Sequence, residues 1–244
     1  MLQSRRMPPV NFLLKIACNL YNGVVAAPPG PKLSLSRTDE LGQVEEYART
    51  RQTDISDHLV TLFSEAAAVR PRLIVELGTR DGESTFALER AARLFDAYLL
   101  SVDIADCAFK SAYVKWSFVK QDDVVFAGEF SVWCSSRHLA PRIDVLFIDT
   151  SHLYEHTRQE LRVWMPFLSP RGKMILHDTN MKRIYRRTDR SLGIGWNNAR
   201  GVIRALEEEL GTQFDESRDF LSTAKGWNVK HCASCNGLTV VERP

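Results

Sequence analysis

The 244-residue chain is 44% hydrophobic and carries a formal net charge of +2, with a pI near 8.3. That apolar fraction suffices for one sizeable core, and the near-balance of charge speaks against a nucleic-acid-binding protein, whose basic residues concentrate on one face. Five cysteines at scattered positions make no disulfide framework, which fits a reducing, cytoplasmic compartment, and no apolar run is long enough to span a bilayer.

Residues 1–54 read as an N-terminal segment and linker. An apolar stretch interrupted by Lys15, Asn19 and Asn22 follows Pro8 and Pro9, which argues against a secretory signal. It reads instead as an amphipathic segment that packs on the domain or on a partner subunit, as a lid or an oligomer contact, and PPGPKLSLSRTDE follows as a linker. A single domain is expected over residues 55–244. Within it, residues 55–69 predict a helix, LIVEL (73–77) a short buried strand, and residues 84–95 a helix with Phe86, Leu88, Ala91, Ala92 and Phe95 near helical spacing. YLLSVD (98–103) and WSFVK (116–120) are the next strands, and a helix runs through Phe126, Phe130 and Trp133.

IDVLFID (143–149) is the clearest strand. A helix over 153–168 places Leu153, Leu161, Trp164 and Leu168 on one face, Pro170-Arg171-Gly172 turns the chain, and KMILHD (173–178) is a strand. The basic run at 181–190 reads as a solvated loop. A helix over 197–210 has an Asn start and Gly211 past its end, and GLTVVE (237–242) is the last strand. Cys232 and Cys235 form a lone C-x-x-C without a second half, read as incidental thiols. Apolar strands separated by amphipathic helices imply a mostly parallel α/β sheet covered on both faces.

In such sheets ligands bind outside the carboxyl ends of the strands, where strand order reverses. That rule selects residues 76–82, Asp103, residues 121–123, residues 149–152, His177 and Asp178. Acids at the ends of five buried strands are costly unless they face a polar site. At the first turn the spacing is Glu76-x-Gly78-x-x-x-Gly82, not the G-x-G-x-x-G of a dinucleotide loop. Glu76 and Asp81 would repel a pyrophosphate and suit a cationic ligand, and Asp103 stands where an acid accepts from ribose hydroxyls.

ELGTRDGEST followed by SVD resembles the class I S-adenosylmethionine-dependent methyltransferases. FIDTSHLYEHTRQELRVWMPFLSPRGKMILHDT is similar to the subgroup of macrocin-type and rhamnosyl O-methyltransferases and cephalosporin hydroxylase-like proteins; together the two segments cover about residues 70–180. The resemblance implies a Rossmann-like fold with a seven-stranded, mostly parallel sheet. It implies S-adenosylmethionine as cofactor, bound by Glu76, Gly78, Thr79, Asp81, Gly82, Ser84, Asp103, Asp122 and Asp149. On the residues alone, Asp122 and Asp123 are equally a helix N-cap with first-turn charge.

The resemblance implies methyl transfer to a small-molecule hydroxyl, of a sugar or natural-product scaffold. Such a hydroxyl needs a base, a metal that lowers its pKa, or both. Mg²⁺ or another divalent cation would be held by Asp149, His177 and Asp178, with His177 standing where the related metal-dependent enzymes have a further carboxylate. Ser151 stands where several have an acid thought to act as base, so His152, with Asp149, is the catalytic candidate; a helix-capping histidine is the alternative. His152, His156 and Glu160 share a helix face that could hold a metal, although His156 and Glu160 read better as solvated beside Arg158 and Arg162. The region from Thr179 to Trp196 is expected to close over substrate, with Trp196 stacking on a ring or packing in the core. Two further readings stay open: a methyltransferase acting on a lipid-linked glycan, and a cofactor-binding accessory protein without turnover.

Overall fold

The computed structural model describes residues 12–25 and 39–244; Pro8, Pro9 and most of the expected linker lie outside the described residues. Five strands run parallel, β1 (Leu73–Leu77), β2 (Tyr98–Asp103), β3 (Trp116–Lys120), β4 (Ile143–Ile148) and β5 (Leu168–His177). Beyond a short hairpin, β6 (Ile184–Arg186) and β7 (Leu192–Ile194), come the antiparallel strands β8 (Phe220–Ala224), β9 (Trp227–Cys232) and β10 (Leu238–Glu242). The main sheet has eight strands in the order β3-β2-β1-β4-β5-β10-β9-β8, one more than the seven expected. The extra edge comes from β8 and β9, joined through Lys225 and Gly226, both at positive φ as a tight hairpin requires.

The helices are α1 (Phe12–Val25), α2 (Glu40–Thr50), α3 (Leu59–Ala68), α4 (Glu83–Leu94), α5 (Asp123–Phe126), α6 (Phe130–Ser135), α7 (Tyr154–Trp164) and α8 (Gly201–Leu210). Strand parity divides the core between the two faces. Leu73, Val75 and Leu77 of β1 pack with Trp133, Leu161, Trp164 and Leu206 on one side. Ile74 packs with Val44, Leu59, Leu62, Leu88 and Ala91 on the other. Val44, fully buried on α2, packs residues 40–50 into the same core as residues 55–244. The N-terminal α1 docks on the hairpin: Asn22 accepts from the Leu192 amide at 2.7 Å and donates to its carbonyl at 2.9 Å.

Three local expectations are corrected. The helix expected over 153–168 ends at Trp164, and a 3₁₀ turn over Met165–Phe167 carries Pro166, which cannot continue an α-helix. Strand β5 then starts at Leu168, so Pro170-Arg171-Gly172 lies within it, where the register against β4 shifts between Ile143 and Val145. The helix expected from Asn197 begins at Gly201, because Ala199 and Arg200 are left-handed.

Candidate active site

The chain adds β2 and β3 to one side of β1 and returns to place β4 on the other. Strand order therefore reverses between β1 and β4, and a crevice is expected at their carboxyl ends. Gly78 and Asp149 meet there. The Asp149 amide donates to the Leu77 carbonyl at 2.8 Å, and a Cβ on Gly78 (φ +88°) would stand 2.1 Å from the Asp149 carbonyl oxygen. Only glycine fits that approach. Gly82, also left-handed at φ +82°, opens α4.

Asp103, half-buried at the end of β2, fastens the loop between these glycines. Its Oδ2 accepts from the amides of Thr79 at 2.7 Å and Arg80 at 2.9 Å, and its Oδ1 from Ala105 at 2.8 Å. Thr79 is buried and its Oγ1 has no hydrogen-bond partner among the described residues. Asp81 is exposed beside Arg80 and Lys110, and Asp122 caps α5, its Oδ1 accepting from the Val125 amide at 3.0 Å.

Two residues expected at the cofactor face inward instead. Glu76 shares the parity of Ile74 and is fully buried against α4 and β2. It accepts from Ser84 at 2.7 Å, Thr85 at 2.8 Å and Ser101 at 2.5 Å. Burial pushes its carboxyl up to about 7, against the pull of those three hydroxyls. Glu76 and Ser84 therefore lock α4 and β2 onto β1, and the negative charge assigned to Glu76 for a cationic ligand is partly titrated at neutral pH. The acids at the mouth of the crevice are Asp103 and Asp149.

Across the switch point the ends of β4 and β5 bring Asp149, His152 and Asp178 together. His152 Nε2 lies 3.0 Å from Asp149 Oδ1 and 3.0 Å from Asp178 Oδ2. One ligand atom from each residue lies within 4.8 Å of the others, an arrangement able to hold a metal ion. Asp178 is 1% exposed, and among the described residues neither of its oxygens receives a hydrogen bond, although His152 and His177 nitrogens lie 3.0 and 3.5 Å away. His152 and Asp178 both have left-handed backbones, at φ +57° and +56°. Such strain in non-glycine residues persists where the surroundings over-determine it, commonly at functional sites.

His177, expected as a ligand with Asp149 and Asp178, borders this cluster and lies 3.5 Å from Asp178 Oδ1 through Nδ1. Its Nδ1 lies 3.2 Å from Asp149 Oδ1, while Nε2 is buried without a partner. The ring meets His58 edge-on, with centroids 5.5 Å apart. His177, the last residue of β5, and Asp178, whose backbone is left-handed, thus both reach the end of β4.

Burial alone would raise Asp149, but the charge of His177 and contacts from both histidines hold it below the usual carboxylate range. Burial would lower His152 and His177; the charges of Asp178 and Asp149 outweigh it and raise both. Burial and the neighbouring His177 push His58 down to about 3, so it is neutral.

The expected lid lies close to this cluster. The Trp196 ring stands 6.4 Å from that of His152. The hairpin before it is tied down: Arg187 Nε donates to the Thr53 carbonyl at 3.0 Å, and Thr188 Oγ1 to Asp57 at 2.9 Å. Asn198, read only as a helix start, donates from Nδ2 to the Asp178 carbonyl at 3.2 Å and supports the reversed backbone there. The pair Asn197-Asn198 before Gly201 is a turn signal that could have disclosed this. Glu160, expected in solvent, is fully buried.

Residues 75–179 match the family model described as a methyltransferase domain. The uncharacterized protein y4gI of Sinorhizobium fredii is 29% identical over 133 residues, which cover 47% of this chain and 14% of that protein. The chain thus spans a small part of the curated relative it matches. Among solved structures, a methyltransferase from Geobacter sulfurreducens aligns over 97% of this chain and 99% of its own, with a TM-score of 0.52 and 15% identity. TomG, an O-methyltransferase of Streptomyces achromogenes involved in tomaymycin synthesis and solved with S-adenosylmethionine, aligns over 93% and 96%, at 0.51 and 12%. MycE, from the mycinamycin biosynthetic pathway and solved with Mg and S-adenosylhomocysteine, aligns over 85% and 55%, at 0.53 and 16%. At these identities the structures establish a shared fold.

Proposed function

We propose that this chain, whose residues 75–179 match a methyltransferase domain, is a class I S-adenosylmethionine-dependent methyltransferase that methylates a small-molecule hydroxyl with the help of a divalent cation. The observation that carries the metal-assisted reading is the convergence of Asp149, His152 and Asp178 beside the Gly78 turn, with the oxygens of buried Asp178 facing histidine nitrogens but taking no hydrogen bond among the described residues. Two carboxylates and an imidazole fit a divalent ion, and the orphaned oxygens are the atoms such an ion would satisfy.

The cofactor also fits what the chain presents. Asp103 is half-buried with lone pairs to spare after its three backbone contacts, Thr79 Oγ1 is an orphan on the same loop, and Ile104 beside Asp103 is 75% exposed and can cover an apolar ring. When bound, S-adenosylmethionine supplies an electrophilic methyl group on a sulfonium centre. Holding an acceptor oxygen in line with that methyl removes much of the barrier. Asp103 and the two left-handed glycines fix the loop that orients one partner, and Trp196 supplies a flat apolar surface beside His152 that suits a sugar or another ring.

A cation held by Asp149, His152 and Asp178 would polarise the acceptor hydroxyl and lower its pKa. His152 offers one nitrogen to both of its expected roles. The carboxylates that raise its pKa favour the imidazolium when no cation is present, which is a poor base and a site where a metal displaces a proton. His152 is accordingly assigned as a ligand rather than the base.

The acceptor class follows the chemistry of the site together with the natural-product pathways printed for TomG and MycE, and the Mg described for MycE agrees with the proposed cation. Incubation with methyl-labelled cofactor, a panel of glycosides and Mg²⁺ tests the reading. Label on a hydroxyl is expected; cofactor binding without transfer to any acceptor would favour a non-catalytic accessory protein, a reading that the exposed Ser151 at the expected base position keeps in play.

A further inference from the structure

A second group of ligating side chains lies between α5 and α7, on the far side of Thr150 from the Asp149 cluster. Asp123 is the first residue of α5, and His156 and Glu160 sit one turn apart on α7. His156 Nε2 is 3.0 Å from Asp123 Oδ1 and 3.7 Å from Glu160 Oε1. One ligand atom each from Asp122, Asp123 and His156 lies within 4.8 Å of the others.

Burial makes this group unusual. Asp123 is 6% exposed and Glu160 is fully enclosed. Thr150 Oγ1 donates to Glu160 Oε1 at 2.6 Å, but Glu160 Oε2 and Asp123 Oδ2 are buried and receive no hydrogen bond. Burial, and after it the charge of Asp123, push the Glu160 carboxyl up to about 8, so without a cation it holds a proton; the two unpartnered oxygens still carry a desolvation cost that a metal ion would relieve. Arg158 and Arg162 do not relieve it, since Arg158 pairs outward with Glu155 at 3.1 Å and Arg162 is exposed.

We propose that Asp123, His156 and Glu160, with Asp122 at the solvent edge, bind a divalent transition-metal ion of the zinc class. The site is separate from the Asp149–His152–Asp178 cluster. Enclosure of Asp123 and Glu160 beside an imidazole suits a four-coordinate ion such as Zn²⁺, whereas Mg²⁺ usually keeps several waters. The ion would clamp α5 to α7 behind β4, neutralising both carboxylates with one charge-dense centre. Its role is structural, and it does not depend on the methyltransferase reading.

Co²⁺ titration of the chelator-treated full chain, followed by visible absorption and metal analysis, tests the proposal. Wild type is expected to bind one more Co²⁺ per chain than His156→Gln. Asp178→Asn should keep the ion held by His156, so failure of the other cluster does not mask this one. Glu160→Gln, which removes a carboxylate ligand while keeping the shape, should weaken the same ion at least tenfold; it serves if His156→Gln does not fold. Zn²⁺ should displace the Co²⁺ signal and raise the Tm of Asp178→Asn. Unchanged Co²⁺ stoichiometry and affinity in both His156→Gln and Glu160→Gln would overturn the proposal. So would a sulfur-to-metal charge-transfer band, which would place the ion on Cys232 or Cys235.

Discussion

His152 Nε2 stands 3.0 Å from Oδ2 of Asp178, a carboxylate whose two oxygens are buried without a hydrogen bond. A neutral amide at that position removes a charged ligand while keeping the shape. Asp178→Asn is expected to weaken Mg²⁺ or Mn²⁺ binding at the Asp149 cluster by at least ~10-fold and metal-dependent turnover by ~100-fold. Affinity for S-adenosylhomocysteine, read by calorimetry, should stay within about threefold, because Asp178 lies outside the loop that Asp103 organises.

Gly78→Ala tests the contact between the cofactor loop and β4. The new methyl group would stand 2.1 Å from the Asp149 carbonyl oxygen, on a backbone at φ +88°. Loss of roughly 2–4 kcal/mol of stability is expected, seen as a fall in Tm, from strain and overpacking together. Cofactor and metal affinity should both drop, since the displaced residue serves both. A variant with wild-type Tm would contradict the close approach.

Glu76 gives a pH signature with a defined sign. Its folded pKa is about 7 against an ordinary 4.5, so the folded chain holds the proton that the unfolded chain releases. The contribution is fully present below pH 4.5 and is lost as pH rises through 7. Glu76→Gln stays neutral throughout. Its Tm relative to wild type should therefore climb between about pH 5 and about pH 8, by an amount equivalent to on the order of 3 kcal/mol. A difference that does not vary with pH would mean that Glu76 is ionised in the folded state.

Asp103→Ala removes the acceptor for three backbone amides, those of Thr79, Arg80 and Ala105. S-adenosylhomocysteine affinity should fall at least ~10-fold, with divalent-ion binding at Asp178 retained. Undiminished affinity would remove Asp103 from the cofactor site.

The fold was legible where strands are continuous apolar runs, as in β1, β2 and β4. It was not legible in β8 and β9, where FLSTA has no apolar alternation and WNVKHC carries polar residues at half its positions, so the sheet carries one strand more than expected. The crevice was legible from acids and glycines at strand ends, because sheet topology fixes where those ends meet. Side-chain direction within it was harder to read. Parity with Ile74 sends Glu76 into the α4 face, and the left-handed backbones of His152 and Asp178 bring His152 between Asp149 and Asp178. Neither residue is glycine, so the spelling of the chain does not announce the reversal. The burial of Glu160 against α5 depends on how α5 and α7 pack, which helical periodicity alone does not specify.

The central claim is that the Asp149–His152–Asp178 cluster assists methyl transfer through a cation, and chelation of that cation tests it most directly. With methyl-labelled S-adenosylmethionine and a hydroxyl acceptor, wild-type transfer is expected to stop in EDTA and resume on addition of Mg²⁺ or Mn²⁺, while Asp178→Asn is not rescued. Wild-type transfer that continues at its full rate in EDTA would contradict it.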